Sequence, residues 1–211
     1  MNAPATELFE LGDLPLRCGH TIPDARIGYL QIGELNADRS NLVLVPSSYG
    51  ARPADLAWIA GPVLDPQRWC IVIAGAFGNG VSSSPSHGAM GLAEQGWVVS
   101  HADNVAAQKR LLEERFGVSR LPLIYGWSMG AQQAYHWGAL FGEAVERIVV
   151  NCGSAKTAPH NFVFLEGVRS TLQAAATPQQ GLRAMGRIYA GWALSQTFYR
   201  REMWRGLGFT S

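Results

Sequence analysis

The stretch "LPLIYGWSMGAQQAYHWGAL", residues 121–140, decides the fold, because it joins a buried-strand pattern to a helix pattern through a serine. The apolar run at its start is typical of a strand covered on both faces. Gly126, Ser128 and Gly130 then form the pattern Gly-x-Ser-x-Gly, and helix-forming residues follow. This order predicts a nucleophile elbow, a sharp turn that strains the backbone of the serine and exposes its hydroxyl.

Ser128 is therefore the predicted nucleophile, and two backbone N–H groups are predicted to form an oxyanion hole beside it. The turn would direct the N–H of Met129 and the positive end of the following helix towards the developing negative charge. A second donor is expected from "PSSYGARPAD", residues 46–55, where either Ser48 or Tyr49 would supply the N–H. The alternatives are a chance Gly-x-Ser-x-Gly match and a merely polar turn at 46–55.

Apolar runs and helical patterns alternate along the chain, which predicts the α/β class with a mostly parallel sheet and flanking helices. The helical pattern at 103–116 places Val105, Leu112 and Phe116 on one stripe. An antiparallel hairpin is expected earlier, within residues 7–35, where short β-prone segments are broken by Gly, Pro and Asp. The four apolar runs expected to be parallel strands are 41–46, 69–75, 121–126 and 146–153.

The part of the chain after residue 153 contains no further strand-like run. Residues 161–175 and 181–206 resemble two helices separated by "ATPQQ". We therefore expect a core domain at 1–154, with its C-terminal strands missing, and a partial helical cap region at 155–211 that covers the strand ends.

Composition restricts the partners and the compartment. Apolar residues make up 47% of the 211 residues, charged residues 16%, and the net charge is +1, which does not indicate a nucleic-acid partner. Three widely spaced cysteines and five unclustered histidines indicate neither a disulfide framework nor a metal site. Because no basic start precedes a long apolar run, and no run approaches the length of a bilayer span, we expect a cytoplasmic protein without a membrane anchor.

Two long segments, "LDPQRWCIVIAGAFGNGVSSSPS" (64–86) and the block from 103 to 155 around Ser128, resemble the homoserine O-acetyltransferase family of the α/β-hydrolase fold. The similarity runs from about residue 8 to the end. It implies the α/β-hydrolase fold and a ping-pong reaction, in which serine takes an acetyl group from acetyl-CoA and passes it to the hydroxyl of a small amino acid. It implies no bound cofactor, with acetyl-CoA as a substrate.

The resemblance also implies a substrate-binding residue, since "FVFLEGVRSTL" places Arg169 where the family has an arginine that meets the substrate carboxylate. A solvated helix face is the alternative for Arg169. Two departures leave the acceptor open: Trp127 and Ala131 replace glycines of the family's Gly-Gly-Ser-Met-Gly-Gly, and Leu165 stands where asparagine is typical. The alternative functions are a serine esterase or thioesterase and a catalytically dead scaffold.

The acid and base of a Ser-acid-His triad are expected outside this chain. In this fold they follow the last strands, which the sequence pattern lacks. His136 lies two helical turns beyond Ser128, about 12 Å along the axis, and His160 has no evident orienting carboxylate. The resemblance breaks off at "GFTS", so we expect the front part of a longer enzyme. Alone, it would be nearly inert and would self-associate or need a complementing C-terminal polypeptide.

Overall fold

The computed structural model describes residues 5–87 and 98–208. The start of the predicted core domain, residues 1–4, and the end of the predicted cap region, residues 209–211, which form most of "GFTS", lie outside the described residues. The chain divides into two compact units, Met1–Ala155 and Lys156–Ser211. The strands are β1 (Glu7–Pro15), β2 (Thr21–Ile32), β3 (Leu42–Pro46), β4 (Cys70–Ala74), β5 (Leu123–Trp127) and β6 (Ile148–Asn151). The α-helices are α1 (His101–Arg110), α2 (Met129–Phe141), α3 (Pro159–Gln173), α4 (Pro178–Ala193) and α5 (Gln196–Arg200).

Within the described residues, one six-stranded sheet with the order β1-β2-β4-β3-β5-β6 forms the first unit. The pairs β4–β3, β3–β5 and β5–β6 are parallel, while the pairs β1–β2 and β2–β4 are antiparallel. The predicted N-terminal hairpin and the mostly parallel sheet are therefore confirmed. The carboxyl ends of β3 and β5 meet at one edge, which is where ligands bind in open parallel sheets.

The core lies on both faces of the sheet because the central strands are apolar at every position. Leu42 and Leu44 of β3 pack on the face that α1 and α2 cover. Val43 and Val45 pack on the opposite face, with Leu56 of the 3-10 helix Pro53–Ile59. A period of two thus distributes one continuous apolar run over two cores.

The loop after β4 extends the pairing with β2 by means of serine side chains. The N–H of Gly75 donates to the carbonyl of Gly28 at 2.7 Å. The N–H groups of Gly28 and Arg26 then donate to the hydroxyls of Ser82 and Ser83, at 3.0 and 2.9 Å. Hydroxyls thus replace the carbonyls that a continuing strand would offer to β2.

Helix α1 begins with a capping box, in which Ser100 accepts from the N–H of Asp103 and the Asp103 carboxylate accepts from the N–H of Ser100. The helix continues as one π-helical turn, Leu111–Arg115. The predicted stripe is confirmed, since Val105, Leu112 and Phe116 are all buried.

The second unit contains the helical hairpin α3–α4, followed by α5 and the 3-10 helix Met203–Leu207. Phe164 of α3 stacks on Trp192 of α4 at 4.1 Å between ring centroids. The expected single helix over 181–206 is wrong, because Ser195 accepts from the N–H of Phe198 and starts a new helix there. Glu202, with φ of 50°, then ends α5. That the predicted cap region covers the strand ends stays a prediction.

Three further features concern disulfide bonds, metal ions and membranes. Cys18, Cys70 and Cys152 are free thiols, and burial raises the pKa of Cys70 to about 11. Residues 5–87 and 98–208 contain no group of three or more His, Cys, Asp or Glu side chains that could hold a metal ion. None of the helices in these ranges combines the length and apolarity needed to cross a membrane.

Replacing Leu44 by alanine tests the central core, because Leu44 is fully buried and pairs with Val72 and Ile124 on either side. We expect the free energy of unfolding to fall by about 2–5 kcal/mol, measured by urea denaturation. Leu8→Ala is the matched control, because Leu8 is 46% exposed and its loss costs less than about 1 kcal/mol. Equal losses for the two variants would contradict this assignment of the core.

Candidate active site

Ser128 lies between the end of β5 and the start of α2 in a strained backbone conformation. Its φ and ψ are 55° and −122°, values that residues with a side chain adopt rarely. Its hydroxyl does not cap the helix that follows. The strand, the turn and the strained serine predicted from the sequence are therefore present, and the assignment of Ser128 as the nucleophile stays a prediction.

Both polar groups of the peptide that joins Trp127 to Ser128 are hydrogen-bonded to other parts of the sheet edge. The N–H of Ser128 donates to the carbonyl of Asn151, at the end of β6, at 2.9 Å. The carbonyl of Trp127 accepts from the hydroxyl of Ser48, in the loop after β3, at 2.8 Å. Neighbouring strands thus fix the turn from both sides, which is how a strained conformation persists.

The two glycines of the elbow are required because other backbone lies against them. A Cβ on Gly126 would come within 2.5 Å of the Cα of Ala131, and one on Gly130 within 2.3 Å of the carbonyl oxygen of Pro46. Real Cβ atoms do not approach backbone so closely, so α2 rests directly on the end of β3. A side chain at Gly126 would therefore clash with the helix, and one at Gly130 with the strand end.

The predicted oxyanion donors lie on either side of the contact between α2 and the end of β3. Met129 is the first residue of α2, where N–H groups have no acceptor inside the helix. Ser48 is buried and is tied to the elbow through its hydroxyl, whereas Tyr49 is 58% exposed. The structure thus connects Ser48 to the elbow directly, and the donor roles of all three stay predictions.

Arg169 lies in α3 of the second unit, with its side chain 66% exposed. Its guanidinium is 3.9 Å from the carboxylate of Glu166, one helical turn earlier. An exposed pair at this distance contributes little to stability. The role of Arg169 as a carboxylate anchor stays a prediction.

The contacts of four histidines bear on whether one of them could act as a base. His101 Nε2 lies 3.2 Å from the side-chain oxygen of Gln132. The rings of His101 and His136 lie next to each other, with 5.4 Å between their centroids. Burial, His101 and Arg17 lower the pKa of His136 below its ordinary value, which favours the neutral ring. His87 lies 3.2 Å from the carbonyl of Gly80. His160 is exposed in the first turn of α3.

Sequence reasoning missed the polar groups that support the elbow. Gln133 is fully buried in α2, and its amide donates to the carbonyl of Ser47 at 2.9 Å. The hydrogen bonds that the carbonyl of Asn151 and the hydroxyl of Ser48 make with the Trp127–Ser128 peptide were also not predicted. One signal was available: Gln108 and Gln133 each interrupt the buried face of a helix, where a polar side chain needs a partner.

Replacing Gly130 by alanine tests the contact between α2 and β3. Because the added Cβ would overlap the carbonyl of Pro46, we expect the free energy of unfolding to fall by about 1–3 kcal/mol in urea. Gly138→Ala, in the same helix, is the matched control: its Cβ would meet only Ile148 at 3.6 Å, so it stabilises by about 0.5–1 kcal/mol. Stabilisation by both substitutions would refute the close approach.

Ester hydrolases and homoserine acyltransferases are among the known proteins similar to this chain. An ethyl acetate hydrolase of Pseudomonas veronii is 36% identical over 97% of this chain and 63% of its own length. The crystal structure of an acetylester hydrolase from Corynebacterium glutamicum matches with a TM-score of 0.88 and 32% identity, over 98% of this chain and 64% of that one. A homoserine O-acetyltransferase of Zymomonas mobilis is 29% identical over 81% of this chain and 50% of its length.

These matches support the resemblance to homoserine O-acetyltransferases, and they place two ester hydrolases at higher identity over more of the chain. No family model matches the chain. The chain spans slightly less than two thirds of the length of these two hydrolases. With its mostly parallel sheet and its serine elbow, the chain has the α/β-hydrolase fold, which its esterase and homoserine acyltransferase relatives share.

Proposed function

We propose that this chain carries the nucleophile of a serine ester hydrolase that acts on esters of short acids such as acetate. The observation that carries the proposal is Ser128, held with φ of 55° on a turn clamped from both neighbouring strands. The names of the two hydrolase relatives, an ethyl acetate hydrolase and an acetylester hydrolase, support the ester class and the short acyl group. Hydrolysis, the alternative to acyl transfer, is therefore the leading function.

The reaction proceeds through an acyl-enzyme. The Ser128 oxygen attacks the ester carbonyl carbon while its proton passes to a base, and the carbonyl oxygen becomes an oxyanion. The N–H group of Met129, together with that of Ser48 or Tyr49, donates to that oxygen. The bond to the alkoxy group then breaks, and the alcohol leaves with the proton. Water adds to the acyl carbon in a second, equivalent step and releases the acid and Ser128.

The base and its orienting acid lie, in this proposal, outside this chain. His101 is hydrogen-bonded to Gln132 and contacts His136, and His87 lies against the carbonyl of Gly80. Disabling the base of such a triad lowers turnover by roughly a millionfold. In this proposal the purified 211-residue chain turns over esters only slowly, because no base takes the proton of Ser128.

Acyl transfer to an amino acid is the second candidate, and it requires only that an acceptor hydroxyl replaces water in the second step. It is favoured by the similarity to homoserine O-acetyltransferases and by the exposed guanidinium of Arg169, which suits a carboxylate. Acetyl-CoA would be the acyl donor, without any bound cofactor. Release of CoA from acetyl-CoA only when homoserine is present would favour transfer over hydrolysis.

Ser128→Ala tests the proposed nucleophile. Because no base activates Ser128 in this chain, we expect a fluorophosphonate to form a covalent adduct with Ser128 only during prolonged incubation of the wild-type chain, identified by mass spectrometry. No adduct is expected in Ser128→Ala, because the attacking oxygen is removed. Ser170→Ala is the control, since Ser170 is an exposed residue of α3 whose hydroxyl bonds to the carbonyl of Glu166. An unlabelled wild-type chain, or labelling at another residue, would favour the catalytically dead scaffold or another nucleophile.

The edge strand β6 supports the proposal that the chain associates with another polypeptide. It is the last strand of the sheet in the described residues, and its Ile148 and Val149 side chains are 36% and 39% exposed. An apolar edge with unpaired backbone groups binds further strands. The chain therefore self-associates or binds a complementing polypeptide that continues the sheet.

Val149→Lys tests this edge, because a charge on an edge strand opposes pairing with another chain. We expect the wild-type mass measured by light scattering to rise with concentration, and the rise to be smaller in the variant. Leu8→Lys, at a similarly exposed position of the opposite edge strand β1, is the control and is expected to leave the rise unchanged. A concentration-independent monomer mass for the wild type would contradict self-association.

A further inference from the structure

The turn that follows β6 lies directly beside the nucleophile elbow. Trp127 pairs with Asn151 in the parallel register, so Ser128 and Cys152 come next on two adjacent strands. Cys152 has a φ of 55°, the same value as Ser128, although its side chain is exposed. Two neighbouring residues with side chains thus occupy a region of φ that favours glycine, and strained residues of this kind cluster at functional sites.

Gly153, the next residue of this turn, packs against the first turn of α2. A Cβ on Gly153 would lie 2.3 Å from the Cβ of Ala131 and 3.1 Å from the carbonyl oxygen of Ser128. The φ of Gly153 does not lie in the left-handed region, so the lack of space, and not the backbone conformation, requires glycine here. The turn after β6 therefore rests directly on the backbone of the elbow.

Asn151 anchors the turn to β5. Its carbonyl accepts from the N–H of Ser128 at 2.9 Å, and its side-chain amide donates to the hydroxyl of Tyr125 at 3.2 Å. Its side-chain oxygen accepts from the thiol of Cys152 at 3.3 Å. Because these hydrogen bonds keep the turn in place, a side chain at position 153 would have to be accommodated by a shift of the elbow and α2.

The carbonyl of Ser128 connects this contact to a proposed oxyanion donor. It accepts from the N–H of Ala131 at 3.0 Å, within the first turn of α2. In a trans peptide the carbonyl oxygen and the following N–H point in opposite directions, so this hydrogen bond turns the N–H of Met129 away from the first turn of the helix. A displacement of the Ser128 oxygen rotates the same peptide plane and therefore redirects the N–H of Met129.

We propose that Gly153 is a positioning residue of the active site, which fixes the Ser128–Met129 peptide, and hence the direction of the Met129 N–H, by having no side chain beside Ser128. This inference rests on the proposed function, in which the Met129 N–H donates to the oxyanion. Gly153 acts only through that peptide and does not contact the substrate. The strained conformation of Cys152 turns the chain so that Gly153 reaches this position.

The orientation of the peptide can be followed by the backbone amide signal of Met129 in TROSY NMR spectra of the full chain, labelled with 15N at its five methionines. The signal is assigned through its loss in Met129→Leu. Gly153→Ala adds the Cβ, so we expect the Met129 signal to move. Gly167→Ala is the matched control, because a Cβ on Gly167, in α3, would meet nothing within 4 Å, and the signal is expected to stay in place. An unmoved Met129 signal in a folded Gly153→Ala chain would overturn the proposal.

Ala131→Gly provides a background in which the closest contact is removed. The 2.3 Å approach joins two Cβ atoms and is lost with the Cβ of Ala131, whereas the 3.1 Å approach to the Ser128 oxygen remains. We therefore expect Gly153→Ala to move the Met129 signal in both backgrounds, but less in Ala131→Gly than in wild type. Equal movements would contradict a contact through Ala131 and overturn the proposal. If Gly153→Ala alone does not fold, the comparison within the Ala131→Gly background decides, and an unmoved signal there would overturn the proposal.

Labelling of Ser128 by a fluorophosphonate separates this inference from the proposed function. A donor displaced by about 1 Å lowers reactivity by about 100-fold, so we expect the slow labelling of the wild type to fall by this factor in Gly153→Ala. It should recover in part in the double variant Gly153→Ala/Ala131→Gly and match wild type in Gly167→Ala. Equal labelling rates in Gly153→Ala and wild type would overturn the positioning role alone. A wild-type chain that is never labelled would overturn the proposed function, and the Met129 signal would still show whether Gly153 orients the peptide.

Discussion

The peptide between Trp127 and Ser128 is the constraint on which the site depends. A positive φ at a residue with a side chain costs free energy, of the order of 1–3 kcal/mol, and is retained only where the surroundings prevent relaxation. Here the N–H and the carbonyl of one peptide are held from opposite sides, by Asn151 at the end of β6 and by Ser48 in the loop after β3. The parallel sheet is thus a frame that holds one turn in an unfavourable shape, and the hydroxyl is presented as a result.

The sequence predicted those parts of the molecule that depend on local pattern. Apolar runs such as 41–46 correspond to strands within one or two residues, because a strand covered on both faces cannot tolerate polar positions. The elbow was predictable because Gly126 and Gly130 are required by close backbone contacts. The boundary at Ser195 was missed because an apolar helical pattern continues through it, and the cap that Ser195 provides overrides this pattern.

The supporting polar groups could not be predicted in the same way, because they depend on contacts between distant segments. Gln108 and Gln133 are 25 residues apart, and the hydrogen bond between their side chains exists only once α1 and α2 pack on the same face of the sheet. Arg169 illustrates the opposite case, since its role was inferred from a family resemblance and its surroundings show only an exposed pair with Glu166. The two proposed functions, hydrolysis and acyl transfer, share the first half-reaction, so the same residues around Ser128 would serve either one, and access of the acceptor would separate them.

The loop after β4 has a consequence for how this fold accommodates change. Where β4 ends, the hydroxyls of Ser82 and Ser83 take over as acceptors for the N–H groups of β2, so the ladder no longer requires an extended chain on that side. The glycine-rich segment at 75–80 can therefore leave the plane of the sheet without leaving backbone donors unpaired. Insertions and deletions in this segment would leave the register of the sheet beneath it unchanged.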